Sequence, residues 1–282
     1  MRKVLIPTDF SDNAFNALKY ACQVFKYERS EIFIVNAYGD AVYEMGASKE
    51  RSDFDKLKAA ASQDSEQRLK KVLTDVTAYA PNPKHTYKTV ASVGSLIDAV
   101  NDLVDTENMD IVVMGTKGET NDRSISFGSN TLQVLKYVQC PVLAIPEAFA
   151  YRAPREILFP TNYLVPYQRR ELKLLGDMTG SFRSKIHLLY IDPIKNLPLR
   201  QVDNQEFLKS CLEKPELIFE TTPEKDKTEA IGNYIANHPV DMLVMVNSRH
   251  SHLEYMLAKS TIDKLGLHIK IPFMVMQNLV RG

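Results

Sequence analysis

The sequence carries no excess of either charge: Lys plus Arg and Asp plus Glu stand at 35 each, for a formal net charge of zero. That balance removes the basic footprint by which nucleic acids and anionic membranes are held, so neither partner is expected. No apolar run approaches the ~20 residues that a membrane-spanning helix needs. The opening Met1-Arg2-Lys3-Val4-Leu5-Ile6-Pro7-Thr8-Asp9 puts Pro and Asp where the apolar core of a secretory signal would continue, so export by that route is not expected either. Cysteine is scarce. Cys22, Cys140 and Cys211 lie far apart, which argues against a disulfide framework or a zinc knuckle and fits a reducing, cytoplasmic setting. Cys140, just before Pro141 at the start of a strand, reads as a buried structural thiol. Also missing are the G-x-x-x-x-G-K-[ST] loop of phosphoryl-transfer enzymes and the S-G-G-x-D-S and H-I-G-H signatures of adenylyl transfer.

What is present is a plan written twice. With 282 residues and 44% hydrophobic content the chain can fill two ordinary cores. Ile6-Pro7-Thr8-Asp9-Phe10 returns as Phe159-Pro160-Thr161-Asn162-Tyr163, and Glu31 to Ala37 is echoed by Lys185 to Ile191. Met109 to Met114 matches Val240 to Met245, and the closing strands Pro141 to Ile145 and Pro272 to Met276 complete the set. Pro7 and Pro160 are 153 positions apart but Met114 and Met245 only 131, so the second copy is 22 residues shorter. The difference falls between the second and third strands, where the first copy carries an arm from Tyr43 to Ala80 with a long helical stretch. A linker around Glu147 to Arg155 predicts domains at 1–147 and 155–282.

Within each half, short apolar runs alternate with helical patterns, roughly Asn13 to Phe25, Ser52 to Tyr79, Ser95 to Glu107 and Ser129 to Val138 in the first. The alternation predicts an α/β protein of βαβ units, parallel sheets and helices on both faces. In such sheets ligands sit beyond the carboxyl ends of the strands where strand order reverses, and Asp9, Ala37 and Gly115 all fall at such ends.

The densest signal is Gly115, Gly118 and Gly128-Ser129, in the spacing G-x2-G-x9-G-S after the apolar run Ile111 to Met114. Glycines let backbone N–H groups approach an anion, and a helix entered through Ser129 would present its positive end there, with Ser129 as cap. A plain turn and cap would account for the same residues. Lys117 and Arg123 sit in the same loop, as screening charges for a phosphate or as solvated loop charges. Losing Lys117 is expected to weaken triphosphate more than adenosine binding. Asp9 reads equally well as a ribose-binding carboxylate and as the N-cap of the helix near Asn13.

Pro-Thr-Asp-Phe-Ser after the first strand, joined to Met-Gly-Thr-Lys-Gly and Gly-Ser-Asn after the fourth, resembles the universal stress protein family, here in a tandem form. The resemblance implies two doubly wound, five-stranded, mostly parallel sheets of the adenine-nucleotide alpha-hydrolase-like, Rossmann-like kind. It further implies ATP, ADP or AMP bound with little or no turnover, with Mg2+ as an accompanying ion, in a stress-related regulatory protein. Carried over by position, it sets Pro7, Thr8 and Asp9 beside the ribose or adenine and Ala37 at the adenine. Met114, Gly115, Thr116, Lys117 and Gly118 would run past ribose and phosphates, and Gly128, Ser129 and Asn130 would hold the phosphates. The closing strands would join the halves as an internal pseudo-dimer, leaving a homodimer and an unknown protein partner open.

The second half departs from this pattern where phosphate would lie. Val246, Arg249 and Lys259 stand at the places of Gly115, Gly118 and Gly128, and Asn162 at that of Asp9. That half is expected to bind no ATP in the manner of the first. Its other readings are a structural repeat, a partner surface, or a site for another small ligand using Met242, Met245, Tyr255, Met256 and Met274, which core packing also explains. His250 and His252 read as loop histidines rather than a metal site, and His187 as a partly buried strand residue. A slow ATPase or adenylyl-transfer enzyme is the alternative to a binding module.

Overall fold

The computed structural model describes residues 1–46, 51–117, 127–164, 167–192, 197–224, 226–247 and 269–278. The chain divides into two compact units, one of Met1–Asp122 with Phe127–Ala148, the other running from Phe149 to Gly282.

The first unit runs β1 (Arg2–Pro7), α1 (Asp12–Val24), β2 (Ser30–Ala37), α2 (Gly39–Gly46), α3 (Arg51–Tyr79), β3 (His85–Ser92), α4 (Leu96–Thr106), β4 (Ile111–Gly115), α5 (Ser129–Tyr137) and β5 (Val142–Ile145). Its strands lie in the order β3-β2-β1-β4-β5, every pair parallel. The order reverses between β1 and β4, so the crevice beyond their carboxyl ends is bordered by Asp9 and Gly115. Val4, Leu5 and Ile6 are fully buried, as a strand covered on both faces requires. Each such side chain contributes about 1.5–3 kcal/mol through the surface it withdraws from water. Helix α1 turns Ala14, Ala17, Leu18 and Ala21 inward, an i, i+3, i+4, i+7 stripe.

The second unit repeats this plan with β6 (Glu156–Thr161), α6 (Arg169–Gly180), β7 (Lys185–Ile191), α7 (Leu199–Cys211), β8 (Glu216–Thr222), α8 (Lys227–Asn237), β9 (Met242–Asn247) and β10 (Phe273–Gln277). The strands lie β8-β7-β6-β9-β10, again parallel. Registers equate the copies residue by residue: Leu5 pairs Phe33 and Val112 where Leu158 pairs His187 and Leu243. Gly115 therefore corresponds to Val246, Asn36 to Tyr190 and Ala37 to Ile191. The length difference lies where β2 leads to β3, through the 29-residue α3 against the 13-residue α7. Among its described side chains helix α3 buries Ser65, Leu69 and Val76 alone. The short helix α2 within the arm had no counterpart in the sequence reading. Among the described residues no helix is long and apolar enough to cross a membrane.

Candidate functional site

The loop after β1 is built by two local hydrogen bonds. Thr8 Oγ1 accepts from Phe10 N at 3.0 Å, and Asp9 Oδ1 accepts from Ser11 N at 3.0 Å. Phe10 is held at φ 67°, a left-handed conformation uncommon for a bulky residue. The cap of α1 is Ser11, whose Oγ accepts from Ala14 N, and not Asp9. A cap must sit one residue before the first helical turn, and the loop sets Asp9 two residues too early. The Asp9 side chain is exposed at the strand end.

Beside it, Asn36 is buried at the end of β2. Its Nδ2 donates to Thr8 O at 2.7 Å, and its Oδ1 accepts from Ser65 Oγ at 2.8 Å. This chain ties the end of β1, the end of β2 and α3 together. Ala37 follows directly and is half-buried. Arg68, one turn on from Ser65, lies with its guanidinium 4.1 Å from the centre of the Phe10 ring.

At β4 the glycine has a packing reason independent of any anion. A Cβ on Gly115 would lie 2.6 Å from Asn13 Nδ2 and 2.8 Å from Asn13 Cγ, because the first turn of α1 rests on the strand end. Asn13 Nδ2 donates to Lys117 O at 2.9 Å, while its Oδ1 is buried with no hydrogen-bond partner among the described residues. Thr116 is buried, and its backbone is engaged within the fold: its N–H donates to Ile145 O, and its carbonyl accepts from Gly128 N and Thr131 Oγ1. Thr131 Oγ1 also donates to Gly115 O. These bonds bring the start of α5 against the end of β4 although nine residues separate Lys117 from Phe127.

Gly128, not Ser129, is the N-cap of α5, at φ −63° and ψ 161°, with no side-chain cap bond; Ser129 is the first helical residue. The shift has a simple cause. The Gly128 N–H is drawn to Thr116 O and its carbonyl already accepts from Leu132 N, which starts the helix one residue earlier than a Ser cap would. The half-buried Gly128 and exposed Ser129 and Asn130 thus open a helix whose N-cap residue supplies no side-chain bond to the first N–H groups. Lys117 is no solvated loop charge: its side chain is 14% exposed and its Nζ lies 3.8 Å from Glu147 Oε2. Gly118 and Arg123 fall outside the described residues, so the structure brings together Pro7, Thr8, Asp9, Ala37, Met114, Gly115, Thr116, Lys117, Gly128, Ser129 and Asn130 at the carboxyl edge of one sheet.

The same edge of the second unit keeps the loop and fills the space. Thr161 Oγ1 accepts from Tyr163 N and Asn162 Oδ1 from Leu164 N, each at 3.0 Å, with Tyr163 at φ 53°. Tyr163 stacks on Tyr190 at 5.6 Å between ring centres, and both are buried. Gln201 of α7 donates to Asn162 O at 2.7 Å, and Asn204 donates to Tyr163 O. Ile191 is 4% exposed where Ala37 is half-open. Tyr167, hydrogen-bonded to Thr161 Oγ1, lines with Glu171, Val246 and Met276 a crevice that leaves no room for a water molecule. Burial pushes the Tyr163 and Tyr167 hydroxyls upward, so they stay neutral. Arg249, His250, His252, Tyr255, Met256 and Lys259 lie outside the described residues. Met242, Met245 and Met274 belong to the core.

His187 is more than a partly buried strand residue. Its Nδ1 lies 2.8 Å from Glu220 Oε1 and its Nε2 2.8 Å from Glu156 Oε2, and Tyr234 donates to Glu220 at 2.6 Å. Burial works to raise the Glu220 carboxyl, but the hydrogen bonds from Tyr234 and His187 outweigh it and hold the group below the usual range. The sequence signal for this cluster was the period-two placement of Glu156, His187 and Glu220 on one face of adjacent strands. Asn36, Ser65 and Asn13 gave no sequence signal, since a buried amide or hydroxyl is announced only by its partners.

Residues 1–146 match the Universal stress protein family. Two curated universal stress proteins of Methanocaldococcus jannaschii are each 26% identical to this chain, one over 159 residues (51% of this chain, 94% of the relative) and one over 144 (51% and 81%). Among solved structures, a universal stress protein from Archaeoglobus fulgidus covers 98% of this chain and 98% of its own at 16% identity, with a TM-score of 0.66. A functionally unknown protein from Pseudomonas aeruginosa covers 98% of this chain and 92% of its own at 12% identity and a TM-score of 0.59.

Proposed function

We propose, from the premise that this chain belongs to the universal stress protein family, that its first unit binds ATP or another adenine nucleotide and its second unit does not. The protein acts in this reading as a stress-related regulatory module with nucleotide as the signal. The observation that carries it is the pair of strand-end loops. Asn162 makes the same turn bond as Asp9 without a charge, so the loop does not need the Asp9 carboxylate to fold. An exposed carboxylate at the switch point of a doubly wound sheet suits a ligand bound beyond the strand ends. A carboxylate there accepts the two ribose hydroxyl protons, and Ala37 offers its backbone edge to the adenine.

The start of α5 supplies the other end. Its first N–H groups, entered through a glycine cap without a side chain, and the positive end of the helix dipole suit an anionic tail, with the Ser129 hydroxyl as a further donor. Lys117, whose Nζ lies 3.8 Å from Glu147 Oε2, is the cation this edge would offer a phosphate oxygen. Magnesium enters as the counter-ion that a nucleoside triphosphate carries, held by phosphate and water. Titration calorimetry with ATP tests the reading directly. We expect about one nucleotide per chain; two per chain, or none, would overturn it.

A further inference from the structure

One turn of α3 meets the strand ends on both sides of Asp9: Ser65 bonds to Asn36, which bonds to Thr8 O, and Arg68 lies over the Phe10 ring. We infer that Asn36, with Ser65 and Arg68 of α3 behind it, positions the two strand ends that grip adenosine, and that α3 is thereby coupled to nucleotide occupancy. This inference rests on the nucleotide reading above.

Ser65 is an unusual helix serine. In the middle of a helix a serine hydroxyl ordinarily bonds to its own backbone one turn back. Ser65 instead donates across to Asn36 Oδ1 at 2.8 Å, and it is 2% exposed in a helix that is otherwise mostly solvated. That bond fixes the Asn36 amide so that Nδ2 points at Thr8 O, 2.7 Å away. Thr8 precedes Asp9 and Asn36 precedes Ala37, so one amide sets the spacing between the carboxylate for ribose and the backbone edge for adenine. Arg68 holds Phe10, the residue on the other side of Asp9, from the same turn of α3, with Asp64 3.8 Å from its guanidinium. The second unit ties its strand ends differently: Gln201 of α7 donates to Asn162 O at 2.7 Å and to Tyr190 Oη at 3.4 Å. Its β7 carries Tyr190 in place of Asn36, and Tyr190 stacks on Tyr163 where Asn36 bonds to Thr8 O.

Because Asn36 and Ser65 touch no phosphate, their loss falls on the adenosine end alone. Thr8 O and Asn36 Oδ1 are acceptors already paired within the fold, so they act through neighbours and not on the ligand. Linkage requires the reverse effect as well: a nucleotide that favours the gripped geometry also holds the Ser65 turn of α3 in place.

The test uses the full chain and two probes, ATP and inorganic tripolyphosphate, the latter measured by displacement of ATP. Asn36→Ala is expected to weaken ATP binding about tenfold and leave tripolyphosphate within twofold of the parent. Ser65→Ala is expected to weaken ATP about threefold, and the double variant no more than Asn36→Ala alone, since Ser65 works through Asn36. Hydrogen exchange across residues 61–72 is expected to slow when ATP is added to the parent chain. ATP and tripolyphosphate falling together, additive losses, or ATP affinity untouched by both variants would each overturn the inference while parental ATP binding left the nucleotide reading intact. A parent chain that binds no ATP would overturn that reading itself, and the inference with it.

Discussion

The loops after β1 and β6 are folded by the same two side-chain bonds and the same left-handed aromatic residue, but they border different spaces. The first unit keeps an exposed Asp9, a half-buried Ala37 and a glycine helix cap at this edge; in the second, Tyr190 stacks on the loop and Gln201 and Asn204 bond to it. Duplicate backbones therefore do not make duplicate sites. Loop geometry is decided by short-range bonds that either Asp or Asn can make, whereas the cleft is decided by the volumes of side chains that arrive from other elements. The contrast extends back along the strands. Phe33 lies under the ammonium groups of Lys3 and Lys88, at 5.8 and 4.9 Å, whereas His187, at the same register, lies between Glu156 and Glu220.

Exchanging residues between the copies is the sharpest way to break this comparison. Asp9→Asn gives the first loop the residue of the second. Hydrogen bonds to a charged group contribute about 1.5–3 kcal/mol, so ATP affinity should fall on the order of 10- to 100-fold while thermal stability holds, because Asn keeps the turn bond. A loss of folding with the loss of binding would return Asp9 to a purely structural role.

Next in size is Gly115→Val, which copies Val246. The new side chain meets Asn13 at less than contact distance, and overpacking of this kind costs about 1–3 kcal/mol. Pairing it with Asn13→Ala should recover much of that stability in a denaturant titration without restoring nucleotide binding. If the single variant were as stable as the parent, the packing account of Gly115 would fail.

The smallest effect is expected in the second unit. A carboxyl whose folded pKa is depressed adds stability above its unfolded value and gives it up as pH falls through the folded one. Glu220 should therefore make the second unit more acid-sensitive below about pH 4. Its side chain is 32% exposed, so solvent screening keeps the contribution to about 1 kcal/mol or less. Glu220→Gln should flatten the acid limb of the unfolding profile, followed by circular dichroism, and leave ATP binding unchanged. An unaltered acid limb would remove Glu220 from the account.

Much of this was legible in the chain. The alternation of apolar runs and helical periods, the duplicated strand motifs and the 22-residue gap anticipated parallel βαβ sheets and the larger arm, because hydrophobic period and length act locally. Five strands per sheet came from the family resemblance, since β3 and β8 stood in none of the duplicated motifs. Cys140 was read as buried and is fully so, and burial pushes the Cys22 thiol up to about 11, as inert structural sulfur requires. Other readings failed for a reason of range. Ser129 reads as a cap and Asp9 as an alternative cap when only neighbours are considered; the actual caps, Gly128 and Ser11, are chosen by Thr116 O and by the turn at Phe10. Lys117 reads as a loop charge until Glu147, thirty residues on, is found beside it.

The sequence by itself determined which segments become strands and helices, how often the plan recurs, and which copy kept glycines and a carboxylate at the switch point, since each follows from composition and spacing along the chain. Only the tertiary structure decided that Asn36 and Ser65 brace the strand ends, that Gly115 is demanded by Asn13, and that α7 closes the second cleft. Those outcomes depend on distances between residues far apart in sequence, where hydrogen-bond geometry and side-chain volume, not local propensity, set the energy.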